Sequence, residues 1–463
     1  MSLANTIIYG EKEHVLQALQ QGDDPNEIDE YGFRPLVEAA IANKKNIAEL
    51  LLDHGAMVDQ EDSTGRTALH WAVENSNAGL CELLLSRGAN PDHYSRSNQP
   101  ILMTPILRND VVVKNILYSY KADLNFALDY INTKLLGHRF ELMGQADIVD
   151  PKGRFVEVDF EGFFLEFTVG IILQSLGRYR NNFAARGMRR YFKFVRVLIG
   201  AFEIAAELIK YQQYLTNLES HSKRIDYLLS QELLIIPVAH RGHAITFVSY
   251  GDLFAKCDRG ENSLKEGSIC IYRVGKKSAL TKKFLKQLIY EKNSPEFIQE
   301  GYKHILDLDL VMRLPLPSQI TGNCSWSNVE AAIPAILFIL MCQETDTDPE
   351  SLRKNMDDAL LFYQQWQTWD EDRAIYDCLK SLDGASVARK ASKASVLGAV
   401  LFQCCYHYKT KDIERAEKIM PVLLLPEYRY ILESYLEIYW RRTKTIPGQN
   451  LVHLLDVCGV NWY

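Results

Sequence analysis

The stretch Gly65-Arg66-Thr67-Ala68-Leu69-His70-Trp71-Ala72-Val73 has two partners elsewhere in the chain. Gly32-Phe33-Arg34-Pro35-Leu36-Val37-Glu38-Ala39-Ala40 lies 33 residues before it. Asn98-Gln99-Pro100-Ile101-Leu102-Met103-Thr104-Pro105-Ile106, a looser match, lies 33 residues after it. A second marker keeps the same step: Gly22-Asp23, Gly55-Ala56, Gly88-Ala89 and Lys121-Ala122. Each unit reads as two short helices and a turn. Ala48, Leu51 and Leu52 ahead of His54-Gly55-Ala56 close a helix on a glycine, which suits the left-handed conformation of a helix C-terminus.

A 33-residue period carrying T-x-L-H-x-A is the ankyrin signature. Four units are legible, at 1–31, 32–64, 65–97 and 98–130. The outer two are degenerate, as expected of capping repeats with one face in water. An array of this kind has no chemistry of its own and binds protein through finger loops and a concave face. His70 belongs to the repeat's internal hydrogen bond. Tyr31, Arg34, Trp71 and Tyr94 fall at finger or inner-helix positions and are the candidate partner anchors, because aromatic and Arg side chains carry interface energy.

The 463 residues leave room for two or three domains. With 47% hydrophobic and 24% charged residues the composition is that of a globular protein. A net charge of −7 argues against a nucleic-acid binder. Nine cysteines, with no CxxC pair, point to neither a zinc site nor a disulfide framework, and fit a reducing compartment. No cofactor or metal is expected. The N-terminus lacks a Sec-type signal. The apolar run Ala331 to Cys342 is too short to span a bilayer, so no membrane contact is expected.

Beyond the repeats, Asp150-Pro151-Lys152-Gly153 marks a turn beside a short strand at Phe155, Val156, Val158 and Phe160. Phe163 to Leu176 reads as a buried helix. Ala184 to Tyr214 is amphipathic, with Arg186, Arg189, Arg190, Lys193 and Arg196 at spacings of three or four; such a face is usually solvated and otherwise meets phosphate or an acidic partner. Strands follow at Leu233–Val238, His243–Ser249 and Asp252–Gly260, the last two joined as a hairpin. If Tyr250-Gly251 is the two-residue turn, His243 faces Asp258. Ser268–Val274 is another strand and Thr281–Lys292 a helix.

Gly322-Asn323-Cys324-Ser325-Trp326 precedes an apolar helix from about Val329 to Cys342. A helix N-terminus favours thiolate over thiol, and its free N–H groups stabilise an oxyanion. Cys324 is therefore the candidate nucleophile, His243 its base and later acid, and Asp258 the group that orients the ring. Gln319 is the candidate oxyanion donor, with Asn323 a second. The bland reading is a small buried cysteine and a structural His–Asp pair. His240 competes for the base, and Cys257 points to the opposite strand face.

Gly322-Asn323-Cys324 ahead of a helix resembles the nucleophile region of papain-like cysteine peptidases and deubiquitinases. Gly242-His243-Ala244 with an acid on the next strand resembles their histidine segment. The order His, Asp, Gln, Cys is similar to the permuted group that includes the ubiquitin-like-protein peptidases and some bacterial effector proteases or acetyltransferases. Here the Gln-to-Cys gap is five, where that group has six, and Ala244 replaces the usual tryptophan. The whole chain resembles the ankyrin H effectors of Legionella, a family delivered into host cells by type IV secretion. That resemblance implies a host protein held by the repeats, action in the host cytoplasm or nucleus, and a translocation signal within Gly448–Tyr463.

The expected architecture is multidomain α+β. An ankyrin solenoid covers 1–130, a papain-like cysteine-protease-like domain 131–345 with a helical insertion or lid near 160–230, and a helical region 346–463. The expected activity is thiol hydrolysis of a peptide or isopeptide bond, with a ubiquitin-like or peptide substrate. Acyl transfer by the same thiolate and a non-catalytic interaction scaffold are the alternatives.

Overall fold

The computed structural model describes residues 3–29, 32, 34–212, 218–240, 242–260, 263–319, 322–346 and 348–462. Tyr31 therefore lies outside the described residues. The chain forms two compact units, interleaved along the sequence.

The first unit comprises Met1–Thr133, Gln145–Val158 and Ser386–Ser392. Four helix pairs follow the 33-residue step: Leu3–Tyr9 with Lys12–Gln20, Pro35–Ile41 with Lys45–Asp53, Ala68–Glu74 with Ala78–Ser86, and Met103–Leu107 with Val111–Ser119. The marker positions Gly22, Gly55, Gly88 and Lys121 all turn at positive φ, between 68° and 102°, which ends each second helix. At Thr67 the backbone N–H donates to His70 Nδ1 at 3.0 Å, inside a capping box. The apolar faces stack into one core that includes Leu51, Leu69, Leu84 and Leu117.

Two segments distant in sequence complete this unit. Strands β1 (Gln145–Val149) and β2 (Phe155–Asp159) pair around the Asp150 turn. Asn98 Nδ2 donates to Glu157 O at 2.7 Å, tying the hairpin to the third finger. Arg389 donates to both carboxylate oxygens of Asp129, at 2.6 and 3.0 Å.

The second unit is built on a five-stranded antiparallel meander of β3 (Leu233–His240), β4 (His243–Tyr250), β5 (Leu253–Cys257), β6 (Ile269–Val274) and β7 (Leu308–Leu314). Alternation along a strand sends side chains to opposite faces. Leu233 and Ile235 join one core; Leu234, Ile236 and Val238 join another. The first core contains the helices Leu165–Arg180, Phe192–Lys210 and Ala332–Cys342. The second contains Phe284, Leu288, Tyr302 and Leu306. A sheet covered on both faces reads as near-continuous apolar runs, as β3 and β4 do.

Two expected boundaries give way here. Ile172, Val195 and Leu198 of the supposed lid are fully buried in the same core as Trp326 and Ile336, so these helices are structural walls. Phe362, Tyr363 and Trp366 of the helix Pro349–Lys380 enter that core too, so the chain does not divide near residue 346. The segment Cys324–Cys342 is long and apolar enough to cross a membrane, contrary to the sequence estimate, yet 94% of its apolar window is buried inside the protein. That burial marks a core helix.

Candidate active site

His243 opens β4 directly after Gly242, whose φ of +81° makes the sharp entry into the strand. Asp258 lies one residue beyond β5. Their pairing differs from the expected register. β4 meets β5 with Thr246 opposite Cys257 and Tyr250 opposite Leu253, so the turn is Gly251-Asp252 rather than Tyr250-Gly251. Gly251 takes φ +58°, which a primed turn wants at its first central position. The shift displaces Asp258 by two residues from direct opposition to His243. A shift of two preserves the strand face, whereas a shift of one would reverse it. The two side chains meet diagonally: His243 Nε2 and Asp258 Oδ1 lie 2.9 Å apart.

Asp258 is 4% exposed and well provided for. Its Oδ1 accepts the Gly260 N–H at 3.0 Å, and Lys256 Nζ stands 3.3 Å from Oδ2. Burial would raise its pKa. The His243 hydrogen bond, the Lys256 charge and the Gly260 N–H outweigh that and hold the carboxyl below its usual range.

Cys324 is the first residue of the helix Cys324–Glu330, with Asn323 as N-cap. Its Sγ lies 3.8 Å from the carbonyl oxygen of Gly242, the residue just before His243, and the imidazole is close enough to act on the thiol's titration. With Nε2 on Asp258, Nδ1 is the ring atom left to face the sulfur. Burial opposes ionisation of the thiol, but the imidazole and the N–H groups of Ala244 and Ser325 prevail, and its pKa falls below the ordinary value. His243 moves the other way. The Asp258 hydrogen bond, then the thiol, push it up to about 9 against desolvation. Both displacements favour thiolate beside imidazolium over the neutral pair. Burial raises Cys81, Cys257, Cys342, Cys404, Cys405 and Cys458 instead, Cys81 and Cys405 to about 12. Cys324 is thus set apart chemically from these six.

Asn328 holds the three segments together, and sequence reading missed it. It is fully buried, one helical turn beyond Cys324. Its Nδ2 donates to Ala244 O at 2.6 Å and its Oδ1 accepts Arg259 N–H at 2.7 Å. Those are the residues immediately after His243 and Asp258. One amide therefore fixes the histidine strand and the aspartate strand to the cysteine helix. The available signal was a polar run, Ser325, Ser327 and Asn328, leading straight into an apolar helix, since polar groups that enter a core must find partners there.

Arg259 extends the same junction. Nε donates to Pro317 O at 2.8 Å, and the guanidinium pairs with Glu141 at 2.8 Å and Glu330 at 3.2 Å. Burial pushes Glu330 up to about 8 despite Arg259, and Tyr363 and Trp326 both donate to it. Gly260 leaves space for the ring. A Cβ there would sit 2.8 Å from His243 Cε1.

The oxyanion candidates fare differently. Gln319 is anchored beside the acid, its N–H donating to Arg259 O at 2.8 Å. Its Oε1 is buried and without a partner among the described residues. Asn323 is spent elsewhere. Its Nδ2 donates to His138 O at 3.1 Å and Ser327 Oγ at 3.0 Å, and its Oδ1 bonds His138 Nδ1. With both amide hydrogens used, it is a buried brace and not an oxyanion donor. His240 faces His243 across the β3–β4 hairpin, and its Nε2 has no partner among the described residues.

In the ankyrin unit the named anchors are engaged internally. Arg34 Nη1 donates to Asn26 O at 3.0 Å. Trp71 Nε1 donates to Asp62 at 2.9 Å under the Arg66 guanidinium. The Tyr94 hydroxyl accepts from Arg154 at 3.2 Å, and its ring meets Phe126 edge-on.

A family model of ankyrin repeats matches residues 3–95 in three copies. The chain is similar to a putative ankyrin repeat protein of Fowlpox virus, 38% identical over 95 residues that cover 20% of this chain and 27% of that one. It is also similar to the BCL-6 corepressor-like protein 1 of Homo sapiens, 34% identical over 116 residues, covering 25% and 6%. This chain thus spans about a quarter of the first relative's length and less of the second's. Likeness to the solved structure of the Legionella effector AnkH runs throughout: 44% identity and a TM-score of 0.86, covering 100% of this chain and 98% of that one.

Proposed function

We propose, from the premise that this chain belongs to the AnkH family, that it is an effector acting inside a host cell, holding a host protein by its ankyrin repeats and cleaving a peptide or isopeptide bond at Cys324. The observation that carries the catalytic part is the placement of three side chains: Cys324 at a helix N-terminus, and His243 with Nε2 2.9 Å from the buried Asp258. The lowered thiol and the imidazole raised to about 9 agree with that placement.

In this reading the Cys324 thiolate attacks the carbonyl carbon, and the oxyanion is met by helix-end N–H groups and the Gln319 amide. His243 gives its proton to the leaving amine as the C–N bond breaks, leaving a thioester. A water then loses its proton to His243, attacks the thioester carbon and releases the acid and the Cys324 thiolate, which restores the starting pair. An acceptor amine or hydroxyl in place of that water makes the same site an acyltransferase. Asp258 orients the ring and stabilises the imidazolium.

A second reading, a non-catalytic scaffold, is favoured by one observation: the Asn323 amide beside the thiol is committed to His138 and Ser327. The full chain treated with a ubiquitin-type electrophilic probe near neutral pH decides between them. Labelling at Cys324 that is lost in Cys324→Ala and His243→Ala supports the hydrolase. A Cys324 that resists this probe and small thiol reagents alike leaves the scaffold. Host-protein capture that persists in Cys324→Ala but fails with finger-loop substitutions assigns binding to the repeats.

A further inference from the structure

Between Glu166 and Glu203 the chain has no acidic residue, while residues 178–196 hold six arginines and a lysine. This stretch ends the helix Leu165–Arg180, forms a 3-10 helix over Phe183–Tyr191, and begins the helix Phe192–Lys210. A 3-10 helix repeats every three residues, so positions three apart eclipse. Ala185 and Tyr191 are buried and Met188, between them in the same row, is half-buried, so this row faces the protein. The row Phe183, Arg186 and Arg189 is exposed. Phe183 is 78% exposed, and the Arg186 guanidinium lies over its ring at 5.1 Å.

Most of these cations are not neutralised. Arg190 pairs with Asp358 at 2.9 Å and Lys193 pairs with Glu344. Arg178, Arg180, Arg186, Arg189 and Arg196 have no carboxylate partner among the described residues, and all but Arg180 are exposed. A solvated face needs neither an acid-free run nor an exposed phenylalanine at its tip.

We propose that the row Phe183–Arg186–Arg189, flanked by Arg178 and Arg196, docks this protein peripherally on an anionic phospholipid surface. Guanidinium groups grip phosphate in two-pronged fashion, which suits headgroups. A single apolar tip among cations enters the interface without spanning it. A single-stranded nucleic acid would want a run of stacking platforms. Phe183 alone is exposed among the nearby rings, since Tyr191 is buried and Phe192 and Phe194 are half-buried. This departs from the sequence expectation of no membrane contact, and it is independent of any reaction at Cys324.

The test is co-sedimentation of the full chain with vesicles of phosphatidylcholine, and of phosphatidylcholine with phosphatidylserine in equal amounts. Binding to the anionic vesicles alone, weakened by salt, is expected. Arg186→Ala with Arg189→Ala lowers the partition by about fivefold for each arginine, and Phe183→Ala lowers it further. The substituted side chains are exposed, and an unchanged melting curve verifies that the fold survives. Equal binding to both vesicles, no binding, or binding indifferent to these three residues overturns the proposal. So does neglect of lipid combined with arginine-dependent retention of a single-stranded RNA, which would give the patch to nucleic acid.

Discussion

At Cys324 and His243 two titrations run in opposite senses. His243 keeps its proton to about pH 9 in the folded chain, against about 6.5 when unfolded. Its contribution to stability is therefore complete below about 6.5 and lost as pH rises through about 9. The Cys324 thiol loses its proton below its ordinary value, so as pH climbs toward that value its contribution to stability rises instead. The two slopes offset in a melting curve, and the alkylation rate reads the pair more cleanly. Iodoacetamide at neutral pH is expected to modify Cys324 ahead of the half-buried Cys342 and Cys458, whose thiols burial raises. Asp258→Asn withdraws the support of the imidazolium. The neutral-pH rate at Cys324 then falls about tenfold for each unit its pKa climbs, and recovers in base. A Cys324 profile that superposes on that of Cys342, or ignores Asp258→Asn, removes the case for an ion pair. Asn328→Ala acts through position. It strands Ala244 O and Arg259 N–H in a buried junction, at about 2–4 kcal/mol of stability, readable by urea unfolding. It also returns Cys324 toward ordinary reactivity, an effect that Asn328 as mere packing would not produce.

The β4–β5 hairpin shows how much an element can be read from sequence. Its strands and the presence of a glycine turn between them were legible because apolar runs and Gly251 mark them. The turn fell one residue later than expected, since nothing local distinguishes Tyr250-Gly251 from Gly251-Asp252 except the strain that Gly251 relieves at φ +58°. His and Asp still met, because strand faces repeat every two residues and the error was two. β7 escaped notice for another reason. It is an edge strand, with few buried positions, so it lacks the apolar run that announces β3 and β4. The repeat helices were plain because a 33-residue period averages out local ambiguity, whereas Asn328 and Gly260 matter only through chains far away in sequence. Gly260→Ala is the matching prediction. Its new Cβ falls 2.8 Å from His243 Cε1 and 3.0 Å from Asp258 Oδ1, so the ring must yield. Loss of rapid Cys324 alkylation with the melting temperature nearly kept is the expected pattern. Full retention of reactivity would mean that the ring need not sit where it does.

Over the whole molecule the sequence misplaces one kind of information, the non-consecutive make-up of its units. Periodicity ends the repeats near residue 130, yet Gln145–Val158 and Ser386–Ser392 belong with them. No local pattern announces that Arg389 answers Asp129, 260 residues earlier. The pair is two-pronged, and Asp129 is 5% exposed. Arg389 itself is only half-buried, so removing its two charge-assisted bonds from the buried carboxylate costs about 1–3 kcal/mol. Arg389→Ala should therefore loosen the last turns of the ankyrin unit from a position that the repeat pattern never reaches. Hydrogen exchange read peptide by peptide is the measurement. Faster exchange is expected across residues 124–133 and the hairpin 145–158, with the first two repeats changed little. A fragment ending at residue 130 loses the hairpin and Arg389 together, and is expected to unfold at lower urea than the same repeats within the full chain. Should that fragment match the full chain and Arg389→Ala leave exchange untouched, the repeats alone would be the folding unit, and the later segments merely resting on them.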